Sequence, residues 1–363
     1  MPKKKSGKRP HVLLIHNVDK TWTPAEKRNA TREIKTIESA IRSRKYKVVN
    51  IAVRNTDIYS LLSKYDPETH IIFNCCESLP GISHSEARVT AILESLHFSY
   101  TGSDSKTLDL CWDKKRTKIL LDRNKVSTPK WRIYESPQLI FDDWNFYPSI
   151  AKPTREHCSL GVTTEAVVLT KGELRKRISF VLNTFSQPAL VEDFIDGREF
   201  HITLWGNDSV KMLPPAEMDF SAFENIHDRL CTYDSKFDPD SIHYKKIKLK
   251  LPAELSKKEY SSLRSTAKKA YTVLGCRDYA RIDIRLRNGV FYVLDINANP
   301  DISRETSMAC AAEIAGYSYN AMIGNILSLA VKRHRSLKSS VKKKAKSRVK
   351  KGSYYECDLL NFE

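Results

Sequence analysis

Arg281-Ile282-Asp283-Ile284-Arg285-Leu286-Arg287-Asn288-Gly289-Val290-Phe291-Tyr292-Val293-Leu294-Asp295-Ile296-Asn297-Ala298-Asn299-Pro300 is two alternating apolar runs joined by Asn-Gly. That dipeptide between such runs is a strong hairpin signal. Side chains repeat every second residue along a strand. Arg281 and Asp283 therefore share a face of the first strand, and Asp295 and Asn297 share a face of the second. Ile282, Ile284, Leu294 and Ile296 take the opposite faces and belong in a core. A plain two-residue turn pairs Asp283 with Leu294 and sends the two carboxylates to opposite faces. One extra residue, a β-bulge, brings them together. Two carboxylates and an amide oxygen on one face then form a hard ligand set suited to Mg²⁺, which prefers carboxylates plus substrate phosphates. The polar outer face of an ordinary hairpin explains the same residues equally well.

Upstream of the hairpin the chain falls into two patterns. His11–Asn17, Tyr46–Val53 and Ile71–Cys75 read as strands, and residues 24–44 between the first two read as a helix with Ile34, Ile37 and Ile41 on one face. Strand, helix, strand at these lengths is a βαβ unit with a parallel sheet, and Glu86–Leu96 adds an amphipathic helix. No G-x-G-x-x-G follows the first strand, so nothing here supports dinucleotide binding. From Asp113 a helix leads into short strands at Ser149–Pro153, Ala166–Leu169, Ala189–Phe194, Phe200–Trp205, Ile282–Leu286 and Val290–Ile296. Helices are expected over Lys171–Asn183, Lys257–Leu274 and Glu313–Val331.

The fold class is therefore α/β and α+β. The expected divisions are a basic disordered start at 1–10, a Rossmann-like domain at 11–110, one lobe at 111–195, a second at 196–331, and a basic disordered tail at 332–363. With 363 residues and 41% hydrophobic content the chain can bury large cores unaided. No apolar run reaches the ~18–20 residues that span a bilayer, and the basic start lacks the apolar segment of a secretory signal, so a cytoplasmic location is expected. Eight cysteines without a C-x-x-C pair or zinc-finger spacing read as reduced thiols.

Net charge is +18, but it is concentrated at the ends. Residues 1–10 carry five basic groups and no acid; residues 331–363 carry eleven basic groups against three acids. Such ends contact nucleic acid or acidic partners, or serve solubility alone.

Two further groups bear on chemistry. Asp113 is placed to cap a helix opening Lys114-Lys115-Arg116-Thr117-Lys118, and Lys152 closes the apolar strand Ser149–Pro153, where burial is costly unless an anion meets it. The loop after it, Thr154 to Val162, has hydroxyl, backbone and Gly elements suited to draping over phosphates, although a snorkelling lysine and a plain turn explain the same residues. The third group is Leu190-Val191-Glu192-Asp193-Phe194-Ile195-Asp196-Gly197-Arg198-Glu199-Phe200, an apolar strand, an acidic Gly turn and a second strand. Glu192 is placed to accept from an adenine amino group and Glu199 from ribose hydroxyls, while solvated turn acids are the ordinary alternative.

In order along the chain stand Tyr100-Thr101-Gly102-Ser103; Asp113-Lys114-x-x-x-Lys118; Ala151-Lys152-Pro153-x-Arg155-Glu156-x-x-Ser159-x-Gly161; Val191-Glu192-x-Phe194-Ile195-x-Gly197-x-Glu199-Phe200; Leu274 to Asp283; and Asp295-Ile296-Asn297-x-x-Pro300. Six blocks in this order resemble the ATP-grasp superfamily, within it the D-alanine–D-alanine ligase-like branch, from about Phe73 to Ala330. The resemblance implies a Rossmann-like domain followed by a two-lobed ATP-grasp fold that holds ATP between the lobes. It implies that Lys114 and Lys152 contact ATP phosphates, that Glu192 and the Ile195 backbone face adenine, and that Glu199 holds the ribose. Asp283, Asp295 and Asn297 would bind two Mg²⁺ ions, with Mn²⁺ as an alternative. Arg281 would stabilise a tetrahedral oxyanion, with Ser159 in the phosphate loop and Lys236 as the mobile-loop lysine at the γ-phosphate. The implied reaction is ADP-forming: a carboxylate becomes an acyl phosphate, which an amine attacks. The implied partners are small amino acids or peptides and a second copy in a homodimer.

The sequence also departs from the branch. Asp295 stands where the branch usually has Glu, and His157-Cys158-Ser159 stands for Gly-Ser-Ser. Asp301 rather than Gly follows Pro300, Asn74-Cys75-Cys76-Glu77 replaces Leu-His-Gly, and Glu26 is only a positional candidate for contact with the first amine. Nucleotide binding reads as retained and the D-alanine pocket as altered. The competing reading is a nucleic-acid- or ribosome-associated binding protein on a degenerate ATP-grasp scaffold.

Overall fold

A computed structural model of the chain describes residues 9–136 and 144–349. The first unit contains β1 (His11–Asn17), α1 (Pro24–Ser43), β2 (Val48–Val53), α2 (Ile58–Leu62), β3 (His70–Cys75) and α3 (Glu86–Ser95). Its sheet is parallel in the order β2-β1-β3, as the βαβ reading requires. Ile34, Ile37 and Ile41 are buried on one face of α1. That helix begins where it does because Thr23 and Glu26 form a reciprocal capping box with Pro24 in the first turn. Glu26 thereby accepts from the Thr23 N–H at 2.7 Å, so its carboxylate serves the helix start and not a substrate amine.

Next come α4 (Ser105–Trp112) and α5 (Lys114–Arg123), the latter capped by Asp113 as expected. The smaller lobe holds β4 (Trp131–Tyr134), β5 (Ser149–Pro153), β6 (Val167–Val168), α6 (Lys171–Phe185) and β7 (Ala189–Asp193), with an antiparallel sheet in the order β4-β7-β5-β6. The larger lobe holds β8 (Arg198–Trp205), β9 (Lys211–Met212), β10 (Ala216–Asp219), α7 (Asp234–Phe237), α8 (Ile242–Lys246), β11 (Lys248–Lys250), α9 (Lys257–Val273), β12 (Tyr279–Arg287) and β13 (Val290–Asn297). Its sheet runs β11-β10-β8-β12-β13, with β9 paired to β8.

Three boundaries differ from the sequence reading. Leu108, Cys111, Leu121 and Val126 pack into one core with Phe200, Ile202, Leu204, Ile282 and Ile284. The expected lobe boundary at 111 therefore fails: α4 and α5 belong to the core of the larger lobe, because their apolar faces are buried against its sheet. The expected single helix over Glu313–Val331 is two, α10 (Ser307–Ile314) and α11 (Tyr319–Val349). Gly316 ends the first in the left-handed region at φ +85°. Finally, α11 continues to Val349, so residues 332–349 are helical where a disordered tail was expected. That stretch contains neither Gly nor Pro and is rich in Lys and Arg, which favour helix. The disorder expected at the start and at the far end of the tail falls on residues 1–8 and 350–363, which lie outside the described residues.

α11 closes the first unit. Met322, Ile323, Ile326 and Leu327 share a core with Val12, Leu14, Ile37 and Phe73. Among the described residues no helix is long and apolar enough to cross a membrane.

Candidate active site

The hairpin β12–β13 carries the bulge that the carboxylates require. Arg287 pairs with Val290 across the Asn-Gly turn, and the register shifts between Asp283 and Ile284. Leu294 is the extra residue. Asp283 then stands opposite Asp295, and Arg281 opposite Asn297. Ile282, Ile284 and Ile296 go to the core while all four polar side chains face the cleft, half-buried. Arg281 donates from Nε and Nη2 to the two Asp283 oxygens at 2.8 and 3.1 Å, and the Asn297 amide donates to Asp283 at 3.3 Å. Burial alone would lower the Arg281 pKa, but the adjoining Asp283 raises it. Burial likewise works against the Asp295 charge, yet Lys114, His157 and Lys152 bring its carboxyl down to about 2.

Facing this corner is a buried lysine cluster. Lys118 and Lys152 grip opposite oxygens of Glu192, at 2.6 and 2.7 Å. Glu192 and Lys118 are 1% exposed and Lys152 9%. Lys118 also donates to Thr128 Oγ1 at 2.6 Å and to the Val293 and Leu294 carbonyls at 3.1 and 3.2 Å. It thus fastens the smaller lobe's β7, through Glu192, to the bulge on β13. Burial would raise the Glu192 carboxyl, but the two lysines hold it low. Lys114, also buried, donates to the Glu156 carbonyl, and burial lowers its pKa. The expectation that Glu192 accepts from an adenine amino group does not match this arrangement, since both its oxygens face lysines.

The loop after β5 comes down on the same cluster. Cys158 and Ser159 are both left-handed, at φ +56° and +61°, a conformation that costs of order 1–3 kcal/mol per non-glycine residue and gathers at functional sites. Gly161 is left-handed at φ +74°, and a Cβ there would fall 2.8 Å from Phe185 and Pro153, so only glycine fits. Lys236 Nζ donates to Ser159 Oγ at 2.8 Å, and Ser159 Oγ donates to the Cys231 carbonyl at 2.8 Å. Two residues 77 apart in sequence are thus joined. His157 stacks on Trp112 at 4.2 Å between centroids. Burial and the nearby Lys114 bring its pKa down to about 4, so the ring is neutral at pH 7.

Glu199 lies at the other edge of the cleft. Its Oε2 accepts from Arg285 Nε at 2.7 Å, and Arg285 also donates to the Ile195 carbonyl at 2.9 Å. Burial disfavours its charge, but Arg285 and His201 hold its pKa well below the usual carboxylate range. Ile195 and Glu199 therefore belong to one bonded unit. Sequence reading gave no role here to Lys118, Arg285, His201 or His157. The register of β8 against β12 pairs Arg285 with Glu199 and Asp283 with His201; only a correct sheet order would have exposed that signal.

The cleft's far wall comes from the first unit. Glu77 is exposed to the cleft but enclosed by its walls, and that enclosure together with Asp301 pushes its carboxyl up. Glu86 accepts from Asn299 Nδ2 at 2.7 Å, and burial pushes its pKa up to about 8.

The donor chemistry of the Asp283, Asp295 and Asn297 corner fits a hard divalent cation, with two changes. The Asn297 amide must present its oxygen instead of its NH₂, and Arg281 must share Asp283. Lysines with acids at one corner and a loop with left-handed turns above suit a polyphosphate with its metal ion.

Residues 135–328 match the family described as D-ala D-ala ligase C-terminus. An uncharacterized protein of Sinorhizobium fredii, y4sG, is 33% identical over 265 residues, covering 73% of this chain and 75% of that protein. The D-alanine–D-alanine ligase of Marinomonas sp. is 28% identical over 311 residues, 82% of this chain and 92% of that protein. Among solved structures, the D-alanine–D-alanine ligase of Bacillus anthracis complexed with ATP has the same fold: TM-score 0.68 at 20% identity, covering 90% of this chain and 99% of that one.

Proposed function

The chain belongs to the D-alanine–D-alanine ligase family, and we propose that it is an ATP-dependent, ADP-forming carboxylate–amine ligase of the ATP-grasp type. The observation that carries this reading is the bulged hairpin, which sets Asp283, Asp295 and Asn297 on one face opposite Lys114 and Lys152. In the proposed reaction a substrate carboxylate oxygen attacks the γ-phosphorus of ATP, the bond to the β-phosphate bridging oxygen breaks, and ADP leaves. An amine nitrogen then attacks the acyl carbon, phosphate departs, and the amine gives up a proton.

Lys114 and Lys152 bind the phosphates, and Glu192 positions Lys152 while cancelling part of its charge. Lys236, oriented by Ser159, meets the γ-phosphate. Glu199 and the Ile195 backbone hold ribose and adenine. Arg281 has Nε and Nη2 committed to Asp283, which leaves Nη1 to donate to the tetrahedral oxyanion. Asp283, Asp295 and Asn297 would hold Mg²⁺, which when bound offsets phosphate charge as phosphoryl transfer proceeds. The nucleic-acid-binding alternative draws no support from the relatives.

The test is ATP turnover with Mg²⁺ against pooled D- and L-amino acids and dipeptides, with products read by mass spectrometry. ADP together with a new amide, both absent in Asp283→Ala and Lys152→Ala, is the expected result. A folded protein that releases no ADP with any pool and binds no ATP would overturn it.

A further inference from the structure

The all-oxygen corner at Asp283 borders a second donor set of different chemistry. Glu199 and His201 are successive residues on one face of β8, and Cys231 comes from the segment that precedes α7. A carboxylate oxygen, an imidazole nitrogen and a thiol sulfur from these three lie within 4.8 Å of one another. His201 Nε2 is 3.6 Å from Glu199 Oε1 and 4.0 Å from Asp283 Oδ1, both beyond hydrogen-bond reach. Glu199 and His201 are only 6% and 8% exposed. The two Glu199 oxygens divide the work: Oε2 accepts from Arg285, and Oε1 faces His201. The Cys231 backbone is held from the other side, since its carbonyl accepts from Ser159.

A tetrahedral ion with bonds of about 2.0–2.3 Å holds neighbouring donor atoms roughly 3.3–3.8 Å apart. The imidazole and carboxylate already stand at that spacing. Thiolate and imidazole ligands select zinc and its neighbours in the transition series over Mg²⁺.

We infer that Glu199, His201 and Cys231 form a three-ligand site for a thiophilic divalent ion of the Zn²⁺ type, with Asp283 or water as the fourth ligand. As the metal–sulfur bond forms, the Cys231 thiol releases its proton to solvent. Where Glu199 also holds the ribose, which rests on the proposed function, the ion and ATP exclude one another. Zinc then acts as a brake on the ligase.

The experiment titrates Co²⁺ into the full-length, reduced protein without nucleotide and follows the near-ultraviolet sulfur-to-cobalt absorption. The expected result is one equivalent bound with that band, displaced by Zn²⁺ and not by excess Mg²⁺. Cys231→Ser should abolish the band, and His201→Ala should weaken Co²⁺ binding by more than the roughly 10–100-fold that outer-shell changes cause. Cys158→Ser, which removes an exposed thiol, should leave it intact. Both site variants are checked for a wild-type circular dichroism spectrum. No band in the wild type, or a band that survives Cys231→Ser, overturns the site. A band lost in Cys231→Ser but indifferent to ATP upholds the metal site and contradicts the assignment of Glu199 to ribose.

Discussion

The two ends of the cleft are built on opposite electrostatic rules. At the end formed by the lobes, lysines meet acids: Lys118 and Lys152 share Glu192, while Lys114 and Lys152 help bring Asp295 down to about 2. At the end formed by the first unit, carboxylates meet carboxylates: Glu77 is pushed up by enclosure and by Asp301, and Glu86 is pushed up to about 8 by burial. The first end is balanced with a surplus of lysine, which a polyphosphate would use. The second carries acids whose carboxyls burial pushes up. The proposed nucleotide end thus rests on paired charges, and the first-unit end on carboxyls that burial keeps protonatable.

Glu192→Ala tests the balanced end most severely. It leaves two lysines buried without their anion, and removing one partner of a buried ion pair costs about 3–5 kcal/mol. Glu77→Ala, on the cleft surface, is expected to stay within about 0.5 kcal/mol. Chemical denaturation measures both, and equal losses would break the contrast. Arg281→Ala removes the proposed oxyanion donor; kcat is expected to fall about 10²–10³-fold, with the melting temperature changed far less than by Glu192→Ala. A fall in stability without a fall in kcat would make Arg281 only the partner of Asp283.

The acidic end has its own signature. A carboxyl whose folded pKa is raised above the unfolded value binds more protons in the native state, so stability falls as pH rises through the interval between the two. For Glu86 that interval runs from 4.5 to about 8. Glu86→Gln should flatten the decline of melting temperature between pH 5 and pH 8.5, and an unchanged slope would remove Glu86 as its source. The smallest effect is expected outside the cleft. Glu26→Ala breaks the capping box of α1, so a slight fall in melting temperature with unchanged kcat/KM is expected; a large kinetic defect would return Glu26 to the substrate site.

The same contrast explains what could be read from the chain. Period-2 alternation and Asn-Gly fixed the hairpin, and the demand that Asp283 and Asp295 share a face required the bulge now found at Leu294. Lys114, Lys152 and Ser159 were marked by their blocks and Lys236 by its place in the mobile loop; Lys114 lies near Lys152, and Lys236 donates to Ser159. The two lysines on Glu192 were not foreseen, because a carboxylate on a buried strand looks the same whether it awaits a ligand or serves two lysines. Lys118 and Arg285 act across strands and lobes, through partners 74 and 86 residues away in sequence, where no local pattern reaches. The sequence reading divided α4 and α5 between the first domain and the smaller lobe for the same reason: an apolar face shows that a helix packs, not against what.

The most direct test of the central claim is calorimetric titration of Mg-ATP into the wild-type protein and Lys152→Ala. Saturable binding of one nucleotide per chain, lost or strongly weakened in the folded variant, is the expected result. Absence of binding to the wild type, or equal binding by both proteins, would contradict the assignment of the lysine-rich end to ATP.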